Sequence, residues 1–103
     1  LVVYQMPAWL ESLNFQKITN VSALKAGDIV FVFDDATRPG MPRHVFICAS
    51  SNLGGNVYLR YDHGSNARIK CVNGTEVTAG RQPCREVITG FYYAYRPCSD
   101  KMP

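Results

Sequence analysis

The chain carries its apolar residues in short runs divided by turn-forming residues, the spacing of strands rather than of long helices. Ala26-Gly27-Asp28 is a turn that feeds a strand over Ile29–Phe33. Val45–Ala49 reads as a second strand. The stretch from Asp34 to Arg43 holds Pro39, Gly40 and Pro42 and reads as the loop between them. Ser50 to Gly55 is polar and contains Gly54-Gly55, a hairpin connection. Val57–Asp62 alternates, with Val57, Leu59 and Tyr61 on one face and Tyr58, Arg60 and Asp62 on the other. His63 to Pro83 is long and polar, with a short ladder around Ala67–Val72. Val87–Tyr95, rich in aromatic and β-branched residues, predicts a final strand. The tail from Arg96 is irregular. Residues 7–17 depart from this pattern. There Trp9, Leu10 and Leu13 approach helical spacing after Pro7, so the expectation is a short amphipathic helix with Trp9 as its core anchor. Together these elements predict an α+β fold over 1–103 as a single domain: a short N-terminal helix, then a curled antiparallel sheet of four to six strands.

Composition narrows the possibilities. A chain of 103 residues buries one modest core. With 47% apolar and 18% charged residues it is a globular chain, not a disordered one. The net charge of +3 comes from scattered arginines that form no run, which argues against nucleic-acid binding. A weak attraction to an anionic surface such as a bacterial wall stays compatible with it. No apolar stretch approaches the ~18 residues of a membrane span. The chain begins at Leu1 without a charged-then-apolar leader, so a mature or processed chain, or a piece of a longer one, is expected.

Four cysteines are present, at 48, 71, 84 and 98, and none forms a Cys-x-x-Cys pair, so no zinc site is expected. No cofactor is expected either. Sequons stand at Asn20-Val21-Ser22 and Asn73-Gly74-Thr75. Cysteines and sequons together favour an oxidising setting and a secreted protein. Three pairings are open. Cys48, inside an apolar strand, reads as a buried thiol, which would leave one of the others to pair outside this chain.

The candidate chemistry lies at His44. Strand alternation puts His44, Phe46 and Cys48 on one face, with His44 at the first position of its strand. Asp62 and His63 close the next strand. If the two strands pair about the 51–54 turn, His44 falls at the same open end as Asp62 and His63. An imidazole beside a carboxylate or a second imidazole is a base with its orienting partner. The base takes the proton of a weak nucleophile, a transfer typically worth ~10²–10⁴ in rate, and stabilises the thiolate where the nucleophile is cysteine. The candidate catalytic residues are therefore His44 with Asp62 or His63. Asp-His-Gly is also an ordinary turn sequence; the Gly-Asp strand ahead of His44 tips the balance. Asp28 is expected to shape its turn. Arg43 is expected to be solvated, and Tyr92, Tyr93 and Tyr95 to form sheet face and core, with a glycan-stacking platform as the alternative.

The segment LKAGDIVFVF, a loop, then HVFICASSNLGGNVYLRYDHGSN resembles the C-terminal half of the papain-like cell-wall cysteine hydrolases, the NlpC-type peptidases and CHAP-type amidases. Leu24, Gly27, Asp28, Ile29, Val30 and Phe31 match the first element of that pattern. His44, Val45 and Ile47 match the second. Asp62 stands where the CHAP group carries an acidic residue, and His63 is the neighbouring candidate because NlpC-type enzymes use a histidine. The resemblance covers about residues 24–64 and implies a papain-like half-domain. It also implies metal-free hydrolysis of amide bonds in bacterial peptidoglycan peptides. The pattern departs in one respect: its cysteine opens a helix upstream of the Gly-Asp turn, and no cysteine precedes Cys48 here. The nucleophile is then expected from an upstream segment or a second chain. Cys84, as in permuted members, is a further candidate. A non-catalytic, disulfide-stapled secreted module that binds glycan or protein is the alternative function.

Overall fold

The structure, a computed structural model, describes residues 2–62 and 68–97. The fold is α+β: a short N-terminal helix and a curled antiparallel sheet of six strands, with a separate two-stranded ribbon. The elements are α1 (Met6–Ser12), β1 (Gln16–Ile18), β2 (Ile29–Asp35), β3 (Arg38–Cys48), β4 (Val57–Asp62), β5 (Arg68–Lys70), β6 (Glu76–Thr78), β7 (Cys84–Val87) and β8 (Phe91–Arg96). The large sheet runs β1-β8-β2-β3-β4-β7, and β5 pairs with β6.

Chain connectivity forces the curl. β7 lies four strand spacings from β8, about 19 Å in a flat sheet. The link from Val87 to Phe91 reaches at most about 14 Å. The sheet therefore bends toward a half-barrel, and the link is hydrogen-bonded at both ends: Ile88 N–H donates to Asn56 O at 3.0 Å and Phe33 N–H to Gly90 O at 2.8 Å.

The two faces of the sheet have separate cores. Val30, Val32, Phe46, Cys48, Tyr58 and Ala94 fill the concave side. On the convex side Leu10 of α1 packs on Phe31 and Tyr95. β2 is covered on both faces, which explains its unbroken apolar run. The Gly-Asp turn anchors the start of this strand. Gly27 takes φ +95° and its N–H donates to Cys48 O at 2.8 Å. Asp28, fully buried, accepts the Lys25 N–H at 2.8 Å and a two-pronged contact from Arg96 at 2.7 Å. Leu24, Gly27 and Asp28 thus fix where the β2–β3 ladder begins, at the end away from His44.

Four expectations change. The helix stops at Ser12, because Asn14 turns left-handed at φ +63° and Phe15 N–H returns to Leu10 O. Trp9 is 50% exposed and is no core anchor; Leu10 takes that place. Most of Asp34 to Arg43 is strand, not loop: Asp34 pairs with Pro42 and Asp35 with Arg38 across a bulge. The prolines are tolerated because, among the described residues, β3 meets β4 only from Phe46 onward, leaving no ladder bond for them to make on that side. The single final strand is two, β7 and β8, broken at Gly90. A side chain at Gly90 would sit 2.7 Å from Phe33 Cε1, so only glycine fits under that ring.

Candidate active site

His44 lies within β3 rather than at its start, opposite Val32 of β2. On the β4 side Phe46 faces Asp62 and Cys48 faces Arg60. Directly opposed residues in an antiparallel pair project to the same face, and residues two apart do so too. His44, Phe46, Cys48, Arg60 and Asp62 therefore share the concave side. His44 and Asp62 are diagonal neighbours, and their side chains meet: His44 Nε2 is 2.6 Å from Asp62 Oδ2.

Arg60 completes the arrangement. Its Nε donates to Asp62 Oδ1 at 2.8 Å and its second nitrogen to Oδ2 at 2.6 Å. The guanidinium lies over the Phe46 ring, 3.7 Å from its centre. Both partners are largely sequestered, with 12% and 13% of their side chains exposed. Burial pushes the Asp62 carboxyl up. The hydrogen bonds and charge of Arg60, then of His44, outweigh it and hold the pKa down at about 2. Asp62 is thus an anion at any physiological pH. An anion only accepts hydrogen bonds, so His44 Nε2 carries the proton. That leaves Nδ1, which has no hydrogen-bond partner among the described residues, as the free nitrogen of a ring whose side chain is 35% exposed.

These groups open into a groove of about 440 Å³ on the concave side. Phe33, Val87 and Thr89 line it from the β2 and β7–β8 link region. Ile69, Lys70 and Ala79 line it from the β5–β6 ribbon and the turn after it. The ribbon is held by the Cys71–Cys84 disulfide, whose Cys84 stands opposite Arg60, and by Val72 N–H to Arg85 O at 2.8 Å. Phe33 takes φ +63°, an uncommon conformation for a bulky residue, and Arg43 rests over its ring at 5.3 Å.

Of the predicted pair partners, Asp62 meets His44, while His63 lies outside the described residues. Cys84 is excluded as a nucleophile because it is oxidised with Cys71. Cys48 is a free thiol, 1% exposed, and burial raises its pKa, so it is inert. Cys98 lies outside the described residues. No group of metal-ligating side chains occurs among the described residues, and no helix among them is long and apolar enough to cross a membrane. Sequence reasoning overlooked Arg60, although alternation already set it on Asp62's face. Glu86 and Lys70, which also line the groove, gave no local signal, because only the curl of the sheet and the disulfide bring them there. Compared with protein-family models, with curated proteins and with solved structures, the chain gives no significant match.

Proposed function

We propose that His44 and Asp62 are the general base and orienting carboxylate of a secreted cysteine amidase or endopeptidase acting on bacterial peptidoglycan peptides. The thiol comes from a segment or chain beyond the described residues. The observation that carries this reading is the 2.6 Å contact that fixes the Nε2–H tautomer of a ring lining the groove. His44 Nδ1 takes the thiol proton, and the thiolate adds to the amide carbonyl. The C–N bond breaks as the imidazolium returns the proton to the leaving amine. Water, deprotonated by the same nitrogen, then cleaves the thioester to release the acid and the thiol. Asp62 stays ionised throughout and stabilises the imidazolium.

Digestion of purified peptidoglycan by the full-length protein and its His44→Ala variant is the test. Near-total loss of released peptide ends with retained folding supports the reading; full activity of the variant removes His44 from the role.

A second reading rests on the state of the cysteines. Cys48 is buried and Cys71 and Cys84 are bonded to each other, so no described thiol reaches His44. A non-catalytic, disulfide-stapled module that binds glycan or protein in the same groove accounts for that arrangement. Inactivity of the full-length protein on every wall preparation it binds favours this module.

A further inference from the structure

We infer that Asn73 is an N-glycosylation site, presented on the β5–β6 turn to an enzyme that transfers oligosaccharide from a lipid-linked pyrophosphate donor. The inference rests on the reading of the protein as secreted, because such transfer takes place along a secretory route.

The two sequons share one local geometry. The backbone N–H of the third residue donates to the asparagine carbonyl, Ser22 to Asn20 Oδ1 at 3.0 Å and Thr75 to Asn73 Oδ1 at 3.2 Å. Their surroundings differ. Val21, the middle residue of the first, packs against the concave core, and its carbonyl accepts the Tyr58 hydroxyl at 2.8 Å. The Ser22 carbonyl accepts Asn52 Nδ2 at 3.3 Å, and the Ser22 hydroxyl is turned back onto Asn20 Oδ1 at 2.7 Å. A transferase must close around all three residues, so this sequon is accessible only before the core forms.

The second sequon stays open in the folded protein. Asn73, Gly74 and Thr75 are all exposed. Gly74 takes φ +85°, and apart from its chain neighbours no atom stands within 4 Å of where its Cβ would be. Asn73 Nδ2 and the Thr75 hydroxyl make no hydrogen bond with a described residue, so both groups that the sequon must offer are unengaged. Cys71 N–H to Thr75 O at 2.8 Å and the Cys71–Cys84 disulfide hold the turn in this form. None of the three residues lines the groove, so an oligosaccharide here leaves His44 accessible. Val72, next in the chain, is 56% exposed, more than any other large apolar side chain among the described residues. A bulky hydrophilic group on Asn73 would shade it.

In the transfer, Asn73 Nδ2 bonds to the anomeric carbon of the donor sugar. The bond from that carbon to the pyrophosphate oxygen breaks, and the lipid pyrophosphate leaves with its electron pair. Nδ2 gives up one proton to a base of the transferase, and no oxidant or reductant is needed.

The test is peptide mapping of the full-length protein, sent into the medium of cultured mammalian cells by an added leader. An amidase that removes N-glycans converts each modified asparagine to aspartate, and mass spectrometry reads the share converted at each sequon. Asn73 is expected to be modified in most molecules, and in a larger share of them than Asn20. Asn73→Gln and Thr75→Ala are each expected to abolish this glycan, whereas Thr75→Ser, which keeps the hydroxyl, is expected to retain it. An unmodified Asn73, occupancy at Asn20 equal to or above that at Asn73, or a glycan that survives Thr75→Ala overturns the inference. Neither peptidoglycan nor His44 enters this readout, so inactivity on cell walls bears on the proposed hydrolysis and leaves the glycan result standing.

Discussion

Replacing Arg60 by methionine isolates the electrostatic core of the site. Methionine keeps apolar contact with the Phe46 ring and removes the charge. In the native protein the Asp62 carboxyl sits at about 2 against an ordinary 3.8. At about 1.36 kcal/mol per pKa unit, that difference stabilises the folded state by about 2 kcal/mol at neutral pH. Because the folded pKa is depressed, this stability is present above about pH 4 and is lost as pH falls from there toward 2. Without Arg60, burial acts on Asp62 against His44 alone, and the carboxyl is expected to rise past its ordinary value. The loss at pH 7 is expected to reach about 3 kcal/mol, the lower end for breaking a sequestered ion pair from one side. Urea unfolding followed at pH 7, 5 and 3 reads both effects. The gap between wild type and variant should be widest at pH 7 and narrow toward pH 3. A variant whose stability deficit is the same at all three pH values refutes the claim that Arg60 acts by holding Asp62 ionised.

Other consequences follow from single contacts. Asp62→Asn should cut the proposed hydrolytic rate by ~10²–10⁴ with folding retained, because the amide no longer enforces one tautomer; a smaller loss than His63→Ala gives would transfer the orienting role to His63. Gly90→Ala forces a side chain against the Phe33 ring at φ +64° and should cost about 2 kcal/mol or more in chemical unfolding. Replacing Cys71 and Cys84 by serine opens a link of sequence separation 13 and should cost about 3 kcal/mol, with amide exchange over β5 and β6 accelerated before that of β2. Asp28→Asn strips the Arg96 guanidinium of its buried partner and should destabilise by about 3 kcal/mol without altering the His44 ring environment.

The strands were legible where one face or both is buried by neighbours close in sequence. The run 29–33 and the alternation of 57–62 read correctly because a two-residue period meets a continuous core. His44 and Asp62 were legible as a pair for the same reason: hairpin register and alternation suffice to set them on one face. The breaks were harder to see. Proline and glycine between 38 and 43 signalled a loop, yet that stretch pairs with β2 and, among the described residues, meets no strand on its other side. VITGFYYAY reads as one strand until Phe33, far away in sequence, is seen to occupy the space above Gly90. Trp9 and Leu10 are neighbours on a helix of barely two turns, too short for periodicity to choose which one turns inward. The groove is a product of the curl and of the Cys71–Cys84 link, so Glu86 and Lys70 carried no mark of their place in it.

The claim on which the account turns is that Asp62 holds His44 in the Nε2–H tautomer, with Nδ1 open. Nitrogen NMR of the His44 ring at neutral pH reads this directly. The account predicts a protonated Nε2 with a slowly exchanging, strongly deshielded proton that disappears in Asp62→Asn. A ring protonated on Nδ1, or one whose signals are the same in both proteins, would contradict it.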